Sequence, residues 1–247
     1  MKENNNKPQI IYILPNLFTA ASAFVGIISI ISAANGHYGK AVLYIILSLL
    51  LDGLDGRVAR LTHTTSKFGL EFDSLADIIA FGVAPAMLFY FTYGHSFGKF
   101  GSLVASMFVV FGAIRLARFN VTTGTYEPSV FIGLPIPTAA VVTSVWIAFY
   151  LEYSFMKGYE WLLIFVISGL ALLMVSNIRY PSFKKIDYQK ASFLKVLVWI
   201  LLIFFLLYLY PLEFAFVLTS GYVLYGIIRA IYSIYKAKFS RNIQNKF

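Results

Sequence analysis

Residues 51–77 read LDGLDGRVARLTHTTSKFGLEFDSLAD. The stretch holds Asp52, Asp55, Glu71, Asp73 and Asp77, five of the 11 acidic residues of a chain that is 59% hydrophobic and 13% charged. Apolar runs flank it on both sides and recur along the whole chain. A membrane span needs about 20 mostly apolar residues, and in lipid every backbone polar group must be satisfied within the protein. The sequence therefore predicts an all-α integral membrane protein. Eight transmembrane helices are expected, near 10–33, 38–60, 73–93, 99–119, 133–152, 160–179, 193–210 and 212–235. Pro211 between two apolar runs makes the last two a tight helical hairpin.

Composition narrows the chemistry. There are no cysteines, which excludes disulfides, thiolate metal sites and cysteine nucleophiles. His37, His63 and His95 are too scattered to build a histidine metal site. The formal net charge is +9, but membrane proteins gather Lys and Arg in cytoplasmic loops, so no nucleic-acid partner is implied. The polar opening MKENNNKPQ and the long run after it predict a spanning segment rather than a cleaved leader. With the N-terminus inside, all of the 20 basic residues fall on cytoplasmic segments except Lys40, Lys99 and Lys157. Both termini are thus expected in the cytoplasm of a cell (inner) membrane, and the acidic stretch faces the side where nucleotides and soluble metabolites are.

Asp52 and Asp55 are three apart near the cytoplasmic end of the second span, and Asp73 and Asp77 are four apart at the start of the third. Each pair shares one helix face, and a short loop lets all four carboxylates converge. Bare carboxylates at that distance resist ionising together. A hard divalent cation with oxygen ligands removes the conflict, and four carboxylates could hold two ions, an arrangement suited to phosphoryl displacement. Gly56 and Ala59 lie on the same face as the first pair and leave a groove along the helix. Gly53 nearby is expected to serve helix packing. Arg60 ends that face, placed to meet a phosphate. Together these features describe a site for a diphosphate-bearing nucleotide. Intramembrane carboxylates also mark ion pathways, so a cation transporter stays open at this point.

The pattern Asp52-x2-Asp55-Gly56-x2-Ala59-Arg60-x8-Gly69-x3-Asp73-x3-Asp77 resembles the full signature of the CDP-alcohol phosphotransferase family. The resemblance implies a helical membrane enzyme, usually a homodimer, with a divalent-metal site, Mg²⁺ or Mn²⁺, in a polar cavity open to the cytoplasm. It implies attack of a hydroxyl acceptor on a CDP-linked substrate with release of CMP. Carried over by position, Asp52, Asp55 and Asp73 are metal ligands, and Asp77 is a ligand or the general base. Gly56, Ala59 and Gly69 belong to the CDP-lipid surface, and Arg60 is a diphosphate contact. LPNLFTAAS (14–22) is similar to a family element beside the nucleotide, which adds Asn16 and Thr19. Plain alternatives for it are Pro15 starting a helix and Thr19 bonding its own backbone.

Within the family, FGLEFDSLADIIAFGVAPA (68–86), with Ser74, is similar to the phosphatidylserine synthase branch. So are IRLARFN (114–120), FIGLPIPTAA (131–140) and, more weakly, NIRYPSFK (177–184). That likeness implies CDP-diacylglycerol and L-serine as substrates. Serine's carboxylate needs a cation, and Arg115 and Arg118 are candidates, with Asn120 beside them. Both arginines could equally be positive-inside anchors or lipid head-group contacts. Arg179 is a weaker candidate, grouped with Lys184 and Lys185 in a loop facing anionic lipid. Glu71 is read as a pocket residue or as a charge near a helix N-terminus, and His63 as an exposed loop residue. An acceptor such as glycerol 3-phosphate or inositol phosphate is the alternative within the family. The chain divides into a catalytic membrane core, 1–192, and a C-terminal hairpin with a basic tail, 193–247.

Overall fold

The structure is a computed structural model that describes residues 10–62, 64, 66–122, 130–181 and 193–244. Among the described residues there are nine α-helices: α1 (Ile10–Ala34), α2 (Tyr38–Leu61), α3 (Lys67–Asp77), α4 (Ala84–Thr92), α5 (Lys99–Thr122), α6 (Ile136–Glu152), α7 (Glu160–Val175), α8 (Phe193–Leu209) and α9 (Pro211–Gln244). Among the described residues, four stretches are long and apolar enough to cross a membrane: Ile13–Ala34, Lys67–Thr92, Lys99–Thr122 and Pro211–Tyr232. Helices α6 and α7 are apolar but shorter, and α2 carries the charges of the aspartate stretch.

The all-α expectation holds except for one small antiparallel strand pair. Strands β1 (Val130–Ile132) and β2 (Arg179–Pro181) match Val130 with Pro181, Phe131 with Tyr180 and Ile132 with Arg179. Helix α7 accordingly stops at Val175, where the sixth expected span was to run on to 179. The third span differs at its other end. It starts at Lys67, six residues before the expected Asp73, because the Ser66 hydroxyl caps it by accepting from Gly69 N at 2.9 Å. Asp73 and Asp77 therefore sit one and two turns or more inside the helix, not at its mouth.

Between α3 and α4 the helix widens into a π-helical stretch, Ile78–Val83, directly after Asp77. Pro85 follows it. Proline has no N–H for the carbonyl four residues back and its ring crowds that carbonyl, and a wider turn relieves both constraints. Helix α1 packs tightly here. A Cβ on Gly26 would stand 2.8 Å from Ala80 Cα, so glycine lets the two backbones touch.

Helix α6 is buried on most of its faces, from Ile136 through Ala139, Ala140, Val142 and Ile147 to Tyr150. Phe81, Leu88 and Phe89 from the third span, Phe108 from α5, and Leu163, Ile167 and Met174 from α7 complete the core. At the end of α6 away from the aspartates, Tyr150 OH donates to Glu160 Oε1 at 2.8 Å and Tyr153 OH bonds Glu213. Helix α9 docks on α6 through Phe149–Phe216 stacking at 4.3 Å and a Trp146 Nε1 to Ser220 Oγ bond of 3.0 Å. Glycine at 226 leaves room for the buried Tyr180 ring of β2. Helix α8 packs on α9 and turns Leu201, Phe204, Phe205 and Tyr208 outward. The hairpin expected around Pro211 is present, with α8 ending at Leu209 and α9 beginning at Pro211.

Candidate active site

Ligand atoms of Asp52, Asp55 and Asp73 lie within 4.8 Å of one another. Helix periodicity puts Asp52 and Asp55 on the α2 face that meets α3, and Asp73 and Asp77 on the α3 face that meets α2. Asp77 completes the group one turn deeper. It lies within hydrogen-bonding reach of Asp52 and in the field of the Arg115 guanidinium. Asp55 and Asp77 are 7% and 9% exposed. Among the described residues, Asp77 Oδ1 has no hydrogen-bond partner.

This donor set suits a hard cation. All its ligand atoms are carboxylate oxygens, which Mg²⁺ and Mn²⁺ prefer. A buried acceptor without a donor, beside three more carboxylates, needs a cation or a proton to offset its desolvation. The acidic cluster is therefore able to hold a divalent ion.

A cavity of ≈ 190 Å³ opens beside the cluster, lined by Pro15, Asn16, Thr19, Asp55, Gly56, Ala59, Thr64, Ser66, Gly69, Leu70 and Asp73. Five of the six residues expected to meet a CDP-lipid are on that wall, namely Asn16, Thr19, Gly56, Ala59 and Gly69. The sixth, Arg60, is exposed at the rim. Its Nη1 lies 4.0 Å from where a Cβ of Gly56 would stand, so the guanidinium overhangs the glycine groove. Gly69 is closely surrounded, since a Cβ there would stand 3.2 Å from Ser66 Oγ and 3.3 Å from Asn16 Oδ1 and would need both side chains to give by a few tenths of an ångström. Gly53 is exposed, and among the described residues a Cβ there would meet nothing within 4 Å, so no described helix packs on it. Pro15 lies inside α1, not at its start.

The family signature spans the parts just described: two aspartate pairs, a glycine–alanine groove and an overhanging arginine. The family model for CDP-alcohol phosphatidyltransferase matches residues 12–167. This chain belongs to the CDP-alcohol phosphatidyltransferase family. Among its relatives, a CDP-diacylglycerol–serine O-phosphatidyltransferase of Helicobacter pylori is 50% identical over 233 residues, covering 94% of this chain and 97% of the relative. An archaetidylserine synthase of Methanothermobacter thermautotrophicus is 38% identical over 193 residues, 76% of this chain and 77% of its own length. A CDP-diacylglycerol–serine O-phosphatidyltransferase of Bacillus subtilis is 34% identical over 172 residues, 70% and 92% of the two chains.

Outside the phosphatidyltransferase signature, the two arginines of α5 part company. Arg115 is 6% exposed, lies in the electrostatic field of Asp77 and has its guanidinium 5.4 Å from the Phe119 ring centre. Arg118 instead donates to the carbonyls of Ile132, Met174, Val175 and Ser176 at 3.0–3.1 Å, and to Asn177 Oδ1 at 3.4 Å. Its guanidinium closes the C-terminal end of α7 and ties α5 to β1. A carboxylate-binding role expected for Arg118 does not fit a fork already filled by five acceptors. Gly133, with φ +77°, belongs to the same knot, and any Cβ there would collide with Arg118 and the Met174 carbonyl. The segments 114–120, 131–140 and 177–181 thus form one clamp.

Asn120 packs its side chain against α3. Its amide donates to Ser74 Oγ at 3.0 Å and reaches Glu71 Oε2 at 3.5 Å. Arg179 is exposed in β2. His63, Lys184 and Lys185 lie outside the described residues. The cavity includes Thr64 and Ser66, which residue spacing did not single out. Ser66 directly before a helical run is a recognisable N-cap, whereas Thr64 has no such signal.

Proposed function

We propose that this chain transfers the phosphatidyl group of CDP-diacylglycerol to the hydroxyl of L-serine, giving phosphatidylserine and CMP. The observation that carries the reading is a buried arginine, Arg115, in the electrostatic field of Asp77, whose buried Oδ1 accepts no hydrogen bond from the described residues, at the inner end of the aspartate cluster. The names of the relatives, one of them aligned over nearly the whole chain, point the same way.

In this reading the nucleotide lies along Gly56 and Ala59, with Asn16 and Gly69 opposite and Arg60 on the diphosphate. Asp52, Asp55, Asp73 and Asp77 would hold Mg²⁺ or Mn²⁺, two ions per site, and the metal would supply charge neutralisation at the diphosphate and stabilise the CMP leaving group. Arg115 takes the serine carboxylate and directs the hydroxyl toward Asp77. Asp77 accepts the hydroxyl proton as the serine oxygen forms its bond to the phosphorus of the phosphatidyl group. The bond from that phosphorus to the bridging oxygen breaks, and CMP leaves with the bonding pair. No covalent enzyme intermediate is needed.

A phosphorylated acceptor such as glycerol 3-phosphate or inositol phosphate would call for several cations beside Asp77. With Arg118 engaged by carbonyls, Arg115 is the arginine of α5 left for that task, which favours the single carboxylate of serine. We take the active site to face the cytoplasm of the cell membrane, with eight spans, both termini inside and a homodimeric assembly. Residues 1–192 are then the catalytic core and 193–247 a peripheral hairpin with a basic tail.

The test is product analysis. Purified protein in mixed micelles with CDP-diacylglycerol and Mn²⁺ should move radiolabelled L-serine into a lipid-phase product carrying the serine head group. Label that stays in the aqueous phase, with folded protein, would refute serine as the acceptor.

A further inference from the structure

Helices α1 and α2 form an antiparallel hairpin joined by a series of side-chain hydrogen bonds. Ser29 Oγ donates to the Ala41 carbonyl at 2.8 Å. Ser22 and Ser48 exchange bonds, each hydroxyl donating to the other's carbonyl at 3.1 and 3.0 Å. Thr19 Oγ1 lies 2.6 Å from Asp55 Oδ2 and 3.2 Å from the Pro15 carbonyl. All four hydroxyl residues are buried. On α2 the rungs fall at 41, 48 and 55, a strict seven-residue repeat, and on α1 at 29, 22 and then 19. Such a repeat keeps one face of a helix turned toward its neighbour.

Apolar packing in lipid tolerates sliding and rotation, because lipid tails are as apolar as the side chains. A buried hydroxyl does not, since out of register it loses its partner with no water to replace it. The three rungs therefore select one depth and one rotation of α2 against α1. The last rung is a carboxylate of the acidic cluster. A threonine hydroxyl has one proton, and the shorter, charge-assisted contact to Asp55 takes it. Helix α1 also touches the second aspartate helix, with Asn16 beside Gly69 and Gly26 against Ala80. It is the common support of both carboxylate pairs.

We infer that Thr19 is a positioning residue, the last rung of a heptad hydroxyl ladder that sets the register of α2 on α1 and aims the Asp55 carboxylate at a divalent cation. This rests on the reading of Asp52, Asp55 and Asp73 as metal ligands. It differs from a nucleotide role for Thr19, because the hydroxyl proton is already spent on Asp55.

The experiment is Mn²⁺ binding to the full-length protein without lipid substrate, followed by electron paramagnetic resonance, with CDP binding measured in parallel. Thr19→Val keeps the shape and removes the hydroxyl. It should weaken Mn²⁺ about 10-fold or more, the usual size of losing a partner that orients a metal ligand, and leave metal-free CDP binding unchanged. Thr19→Ser should restore Mn²⁺ affinity. Ser48→Ala, remote from the cavity, is the second variant and should weaken Mn²⁺ in the same direction while the fold persists. Unchanged Mn²⁺ affinity in Thr19→Val with weakened CDP binding would make Thr19 a nucleotide contact and overturn the inference. Wild-type protein that binds no Mn²⁺, or Mn²⁺ affinity that Asp55→Asn leaves unchanged, would overturn the metal reading itself and the inference with it.

Discussion

The side-chain amide of Asn120, at the end of α5, donates to Ser74 Oγ on α3 across 3.0 Å. Ser74 sits between Asp73 and Asp77 in sequence, so this bond braces the aspartate-bearing helix from behind. Ser74→Ala and Asn120→Ala should each reduce stability, and together by less than the sum. A coupling of roughly 0.6 kcal/mol is the usual size for such a pair between membrane helices. A double-mutant cycle by denaturant unfolding in mixed micelles measures it, and strictly additive losses would remove the brace.

Asp77 and Arg115 lie in each other's electrostatic field at the inner end of the cluster, where the proposed reaction takes the proton from the acceptor hydroxyl. Asp77→Asn should retain CDP-diacylglycerol binding and lose turnover by about 10²–10⁴-fold, the range typical of removing a general base. Tight binding with near-normal turnover would take Asp77 out of that role.

Asp55 is held by Thr19 and lies within 4.8 Å of Asp52 and Asp73. Asp55→Asn should raise the Mn²⁺ concentration needed for half-maximal activity and lower the maximum as well, and a chelator should abolish wild-type activity reversibly. An Asp55→Asn variant with an unshifted metal titration would exclude it as a ligand.

The two α5 arginines should separate in kinetics. Arg115→Ala should raise the KM for L-serine by on the order of 30-fold, equivalent to about 2 kcal/mol for a lost charge-assisted bond, with little change in thermal stability. Arg118→Ala should do the opposite. It strips the donors from four carbonyls, so a loss of roughly 1.5–3 kcal/mol of stability is expected, with a near-normal KM in the folded fraction. A serine KM that rises only in Arg118→Ala would reverse the assignment.

The aspartate geometry was legible because spacings of three and four place side chains on one helix face whatever the tertiary context. The groove residues were legible for the same reason. What spacing could not convey was which partner a side chain would choose. Arg115 and Arg118 are three apart and look alike in sequence, yet one lies in the field of a carboxylate and the other faces a helix end, a difference set by how α7 and β1 approach α5. Thr19 was readable as a residue near the site, but its bond to Asp55 depends on helix pairing. The π-helical stretch after Asp77 hides behind an ordinary apolar run, with Pro85 as its single mark. The strand pair escaped because Val130–Ile132 and Arg179–Pro181 are each three residues long, too short for a period-two signal.

The most direct measurement is metal-dependent CMP release from CDP-diacylglycerol by the purified protein, with L-serine, glycerol 3-phosphate, inositol phosphate or no acceptor. The account predicts CMP release that requires Mg²⁺ or Mn²⁺, is stimulated by L-serine, and matches the phosphatidylserine formed mole for mole. Stimulation by glycerol 3-phosphate or inositol phosphate and not by serine would contradict it.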